Sequence, residues 1–338
     1  MAFSKYSLVV AACLGLAAFP AFANDSTAEL NTGGLDFVQN DNVEMRSEDL
    51  FVSTEQIRVT YHFFNKSDQP VTSLVAFPMP DITIDGPDDN IAVSTDDPVN
   101  FLHFTTTANG QPVPAQVEQK VLAKGIDRTA MLQQLGIPLA PQLQATYTAL
   151  DALPKDKWQS LIDLGLAAIN TYGTGPGPEM TDHLEPRWTL KTTYFWQQTF
   201  PSHQDLVIQH QYTPSVGSSA GSLIGTSLAS DDKGYTAKYC IDASFVAAAT
   251  KLQTADKGST TKYVSEQRID YILKTGANWA GPIADFTLTV DKGSADNLVS
   301  FCGNEVKKIS PTQFQVHYTN FIPKSDLAVL LLLPNTAQ

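Results

Sequence analysis

The sequence predicts a mainly β protein, an antiparallel β-sandwich-rich fold with a helical insertion around residues 117–172. Three observations carry this. Period-two alternation recurs from one end of the chain to the other. Helical spacing is concentrated in the middle. The composition, 43% hydrophobic and 9% aromatic, belongs to a packed globular chain of 338 residues.

The alternation is plainest in Ile57-Arg58-Val59-Thr60-Tyr61-His62-Phe63, where odd positions are apolar and even ones polar. Phe286-Thr287-Leu288-Thr289-Val290 and Phe314-Gln315-Val316-His317-Tyr318 repeat it. Trp188, Leu190, Tyr194, Trp196 and Phe200 line one face of a longer run. Strands with one wet and one dry face suit antiparallel sandwiches. Residues 117–135, 141–153 and 154–172 read as helices, the last with Trp158, Leu161, Ile162, Gly165, Ala168 and Ile169 on one face. A short helix is expected from Asp242, as N-cap, to Gln253. Gly217-Ser218-Ser219-Ala220-Gly221-Ser222 reads as a linker dividing residues 24–216 from a β-rich region, 217–338.

The N-terminus reads as an address. Lys5, the apolar stretch 8–19 and Ala21-Phe22-Ala23 describe a secretory signal peptide cleaved between Ala23 and Asn24. Val10-Ala11-Ala12-Cys13 loosely fits a lipoprotein box, but that cut would strand the better Ala-x-Ala site. The chain is therefore expected to be exported. No later apolar run reaches membrane-spanning length, and 327–333 suits a buried strand. Cleavage leaves Cys240 and Cys302, which in an exported chain read as one disulfide. A net charge of −13, deepened by one on loss of Lys5, argues against nucleic acid as a partner.

Several blocks resemble an exported family of Gram-negative bacteria known as domain of unknown function 4424. They are Asn24-Asp25-Ser26-Thr27-Ala28-Glu29-Leu30, Met45-Arg46-Ser47-Glu48-Asp49-Leu50, Val75-Ala76-Phe77-Pro78-Met79-Pro80, Phe195-Trp196-Gln197-Gln198-Thr199-Phe200-Pro201 and Thr275-Gly276-Ala277-Asn278-Trp279. The resemblance implies a periplasmic, β-rich protein and supplies no reaction. Phe77-Pro78-Met79-Pro80 followed by Asn109-Gly110-Gln111-Pro112-Val113 is also similar to the β-sandwich domain of vault proteins and inter-alpha-trypsin inhibitor heavy chains. That similarity implies an interaction module.

Candidate chemistry is sparse. No nucleophile elbow, zinc-protease helix motif or phosphate-cradling glycine loop is present, so no catalytic, cofactor-binding or metal residue is assigned. Asp182, His183 and Glu185 form the best titratable cluster and would serve an envelope hydrolase; a polar loop before a strand is the plainer reading. His210 shares an apolar face with Leu206, Ile208 and Tyr212, which suits packing. The acidic run 81–97 reads as a solvated loop, with Ca²⁺ binding the alternative. Trp279, in a turn-like segment, is the preferred ligand or partner contact. The function expected is non-enzymatic binding to an envelope protein or ligand. For export, intact mass of protein isolated from the periplasm should correspond to a chain starting at Asn24; a diacylated Cys13 would overturn the assignment.

Overall fold

The computed structural model describes residues 24–32, 34–84, 90–173, 179–229, 232–254 and 262–336. The expected signal peptide (1–23), part of the acidic run (85–89) and part of the loop after Tyr172 (174–178) lie outside them.

Among the described residues the protein is mainly β, with several antiparallel sheets and five α-helices. An eight-stranded sheet has Val43–Val52 and Ile57–Asn65 at its centre, followed on one side by Asp205–Tyr212. Its other side continues through Ile283–Asp291 to Gln313–Phe321. A seven-stranded sheet is built around Thr189–Phe200 and Val71–Pro78, and also takes in Ser26–Asn31. A five-stranded sheet is centred on Lys262–Tyr271 and Leu327–Thr336.

The alternating sequences place their apolar faces where the sheets meet. Val59, Tyr61 and Phe63 of one sheet and Val75, Phe77 and Trp196 of another are all buried in one core. Aromatic contacts cross the interface: His210 lies 4.9 Å from Phe77 and 5.2 Å from Trp196, and Phe63 lies 5.7 Å from Phe200, centroid to centroid. Burying each phenylalanine ring there contributes about 1.5–3 kcal/mol. The unbroken apolar run of Leu327–Thr336 has a different cause, since it is buried on both faces. Val329 and Leu331 enter the main core. Ala328, Leu330 and Leu332 meet Phe245 and Ala249 of the helix Ala243–Thr254. Asp242 starts that helix by accepting the Phe245 backbone N–H at 2.7 Å.

Two expectations need correction. The segment 117–172 is only partly helical. Gln116–Ala123 is a strand paired with Thr189–Phe200, and Ala167–Tyr172 is a strand of a hairpin with Thr181–Pro186. Val117 and Val121 satisfy both helical and alternating spacing, and pairing decided between them. The helix Lys155–Asp163 ends early because Gly165 takes a φ of +75°, letting Leu166 N–H bond back to Leu161 C=O at 2.9 Å. The glycine–serine segment is not a linker either. Gly217, Ser218 and Ser219 are strand residues paired with Arg268, Gln267 and Glu266. Their small side chains leave room for Arg268, whose guanidinium donates to Ser219 Oγ at 2.8 Å. The two halves of the chain also share the eight-stranded sheet, through a parallel pairing of Ser47 to Val52 with Asp285 to Val290.

Cys240 and Cys302 form the expected disulfide, with Cα atoms 5.1 Å apart, across 62 residues of sequence. Replacing both by serine should lower unfolding stability in urea by about 4 kcal/mol on the loop-entropy model. An unchanged midpoint would show that the bond holds nothing the fold does not already hold.

Candidate functional site

Where the eight-stranded and five-stranded sheets diverge they leave a cleft of about 1130 Å³, with the disulfide among its lining residues. One wall comes from two paired strands, Ile283–Asp291 and Gln313–Phe321, whose register sets Phe286 opposite Tyr318 and Leu288 opposite Val316. The other wall comes from Leu298–Phe301, the start of Leu327–Thr336 and the first turns of Ala243–Thr254. Phe286, Tyr318 and Phe321 form one aromatic group, with centroids 4.6 to 6.1 Å apart. Phe286 is buried, but Tyr318 and Phe321 are only half-buried and Ile322 is 54% exposed. A surface that leaves such a group uncovered beside a concavity is suited to an apolar ligand.

The cleft's charges are unequal in their freedom. Asp242 is committed to its helix, held below the usual carboxylate range by the Ser244 hydroxyl and the Phe245 N–H. Asp326 accepts from the Leu273 and Lys274 backbone and lies 3.3 Å from Lys274 Nζ. Lys308 and Lys324 also line the cleft; neither has an ion-pair partner among the described residues, and the Lys308 ammonium lies 5.9 Å from the centroid of the Phe314 ring. In a chain of net charge −13, the uncommitted charge here is positive.

A second cluster is closed to solvent. Asn24 and Asp25 are fully buried at the start of the strand Ser26–Asn31. Tyr61 Oη donates to Asn24 Oδ1, and Asn24 Nδ2 donates to Glu48 Oε2 at 2.9 Å. Thr275 Oγ1 donates to the Asn24 carbonyl, and Trp279 Nε1 to the Asp25 carbonyl at 2.6 Å. Asp25 Oδ1 lies 2.9 Å from His210 Nε2. Burial pushes the Glu48 carboxyl up to about 8, partly opposed by the Asn24 amide, while the Asp25 charge adds to the rise. Burial also raises Asp25, against the pull of His210. Among the described residues, Asp25 Oδ2 and Glu48 Oε1 have no hydrogen-bond partner. The described residues of this cluster are all buried and offer no surface to a diffusing substrate.

Trp279 belongs to it. The expectation that Trp279 contacts a ligand is corrected, because it is 1% exposed and packs 4.5 Å from Phe63. Its turn-like sequence folds inward to receive Asp25. Glu48, missed in the sequence, had left a signal: Glu48-x-Leu50-x-Val52 sets a carboxylate on a buried apolar face.

Asp182 and Glu185 do not face one another. Asp182 accepts from Thr171 Oγ1 at 2.7 Å, while Glu185 accepts from Asn170 and pairs with Arg187 at 3.0 Å. His183 instead bridges two other residues: Nε2 lies 2.8 Å from Thr181 Oγ1, and Nδ1 lies 2.6 Å from Asp151 Oδ2. Tyr172 stacks on the imidazole at 4.2 Å. His203 sits on the surface beside Asp68, and His210 is a core residue. Asp81 pairs with Lys191 at 2.6 Å. Among the described residues no three potential ligands are grouped to hold a metal ion, and no helix is long and apolar enough to cross a membrane.

No curated protein matches the sequence. Among solved structures, a "putative nutrient binding protein" from Legionella pneumophila subsp. pneumophila is 15% identical, with TM-score 0.41 over 92% of this chain and 70% of that one. An M1 zinc metallopeptidase from Deinococcus radiodurans is 9% identical, with TM-score 0.23 over 87% of this chain and 43% of that one. Neither likeness is close enough to carry an argument about activity. The family model described as domain of unknown function 4424 matches residues 23–330, and the chain belongs to that family.

Proposed function

We propose that this is an exported, periplasmic binding protein that holds a ligand with an apolar body and an anionic group in the cleft beside Cys240–Cys302. The observation that carries this reading is the pairing of half-exposed Tyr318 and Phe321 with Lys308 and Lys324, neither in an ion pair among the described residues, in one concavity. Apolar contact would supply affinity, and the two ammonium groups would orient the charged end. The Ala-x-Ala motif before Asn24 supports export, and the disulfide suits an oxidising compartment.

The test uses 1-anilinonaphthalene-8-sulfonate, an apolar anion. The folded protein should bind it saturably, with fluorescence enhancement. Phe321→Ala and the double variant Lys308→Glu/Lys324→Glu should each weaken binding about tenfold, corresponding to roughly 1.4 kcal/mol. Absence of saturable binding, or binding by both variants as tight as that of the parent protein, would refute the assignment.

A second reading, an envelope hydrolase, has one observation in its favour. Asp151, His183 and Thr181 stand in the order acid, base and hydroxyl at hydrogen-bond distances. Hydrolysis of p-nitrophenyl esters lost in both Thr181→Ala and His183→Ala, but kept in an Asp182→Ala/Glu185→Ala control, would establish it. No turnover by the parent protein would dismiss it.

A further inference from the structure

The closed cluster beneath Trp279 holds two carboxyl groups that the described residues do not fully satisfy. Glu48 Oε1 and Asp25 Oδ2 are inaccessible and without partners among the described residues. A buried carboxylate oxygen left unpaired is costly, and Asp25 and Glu48 add to each other's cost through like charge. The other titratable groups facing them are His210 against Asp25, and the Tyr61 and Tyr271 hydroxyls, 3.1 Å apart, beside Asn24 and Glu48. His210 can answer only one side of the cluster, because its own partner oxygen is Asp25 Oδ1.

The backbone that enters this cluster is Asn24, gripped by three other segments of the chain. Glu48 and Tyr61 hold its amide, and Thr275 holds its carbonyl. Gly276 approaches so closely that a Cβ there would lie 2.6 Å from Asn24 Nδ2. The cage is therefore shaped to Asn24 itself. The same residue follows the Ala21-Phe22-Ala23 cleavage motif.

We propose that Asp25 and Glu48 form a built-in receptor for the α-ammonium group of Asn24, so that cleavage after Ala23 supplies the missing cation and completes the core. The inference rests on the export reading for its cleavage site. Hydrolysis of the Ala23–Asn24 amide by a leader peptidase consumes one water, leaves a carboxylate on Ala23 and frees an amine on Asn24. That amine takes a proton at neutral pH and becomes a three-proton donor, where the uncut chain offers a single neutral N–H. Processing is then a maturation step: the precursor retains an incompletely satisfied core, and the cleaved chain locks its first strand in place.

Defined N-termini test this without relying on export. Two full mature chains, one starting at Asn24 and one at Ala23, are released from a fusion by a protease that leaves no residue of its own, then oxidised. At pH 7 the Asn24 form should melt higher by about 5 °C or more, and its α-amine should acetylate at least tenfold more slowly with an N-hydroxysuccinimide ester than that of the Ala23 form. In the Ala23 form Glu48 stays protonated to about pH 8, above its unfolded value of 4.5, so stability should fall as pH rises through that window. In the Asn24 form the fall should be absent below the titration of the amine. Glu48→Gln should abolish the advantage of the Asn24 start; if that variant does not fold, the acetylation comparison still decides. Equal melting temperatures, or an equally reactive α-amine in both forms, would overturn the proposal. Failure to cleave at Ala23 in cells would instead count against export alone.

Discussion

The parallel pairing between Val43–Val52 and Ile283–Asp291 is the constraint on which the rest of the protein depends. It is the single parallel ladder among the described strand pairs, and it joins residues separated by most of the chain. With it in place, Ile57–Asn65 docks on one side and Gln313–Phe321 on the other. The same strand carries Glu48 into the interior and, through Leu50 and Val52, anchors the apolar layer beneath the aromatic contacts. The cleft is lined on one side by the outer strands of that sheet and on the other by Leu298–Phe301 and the start of Leu327–Thr336.

Much of the fold was legible because most strands have one wet face. Ile57–Asn65 and Thr189–Phe200 announce themselves by alternation, and each buries the face the pattern selects. The disulfide was legible from the cysteine count and the expectation of export. What could not be read were elements whose identity depends on a distant partner. Gly217–Ser219 has the composition of a linker and becomes a strand because Arg268 fills the space that its side chains leave. The strand Gln116–Ala123 is fixed by Thr189–Phe200, far along the chain.

The candidate sites divide in the same way. Local motifs drew attention to Asp182 and Glu185, which the fold turns to separate partners, and to Trp279, which it buries. The cleft is assembled from strands and a helix remote in sequence, so neither its aromatic group nor its free lysines could be foreseen from spacing. The buried polar cluster had one local sign, a glutamate in phase with Leu50 and Val52. Its partners Asn24, Tyr61 and Tyr271 come from three other places.

The long-range parallel ladder has a kinetic consequence. Pairings that close a large loop form late, because chain entropy is lost before the contacts that repay it are made. Until Ser47 meets Asp285, several strongly apolar strands have unsatisfied edges. A chain of this kind keeps apolar strand edges uncovered until that ladder closes, which makes its folding slow and its intermediates prone to associate. The topology that makes the finished protein a single body thus also delays its collapse.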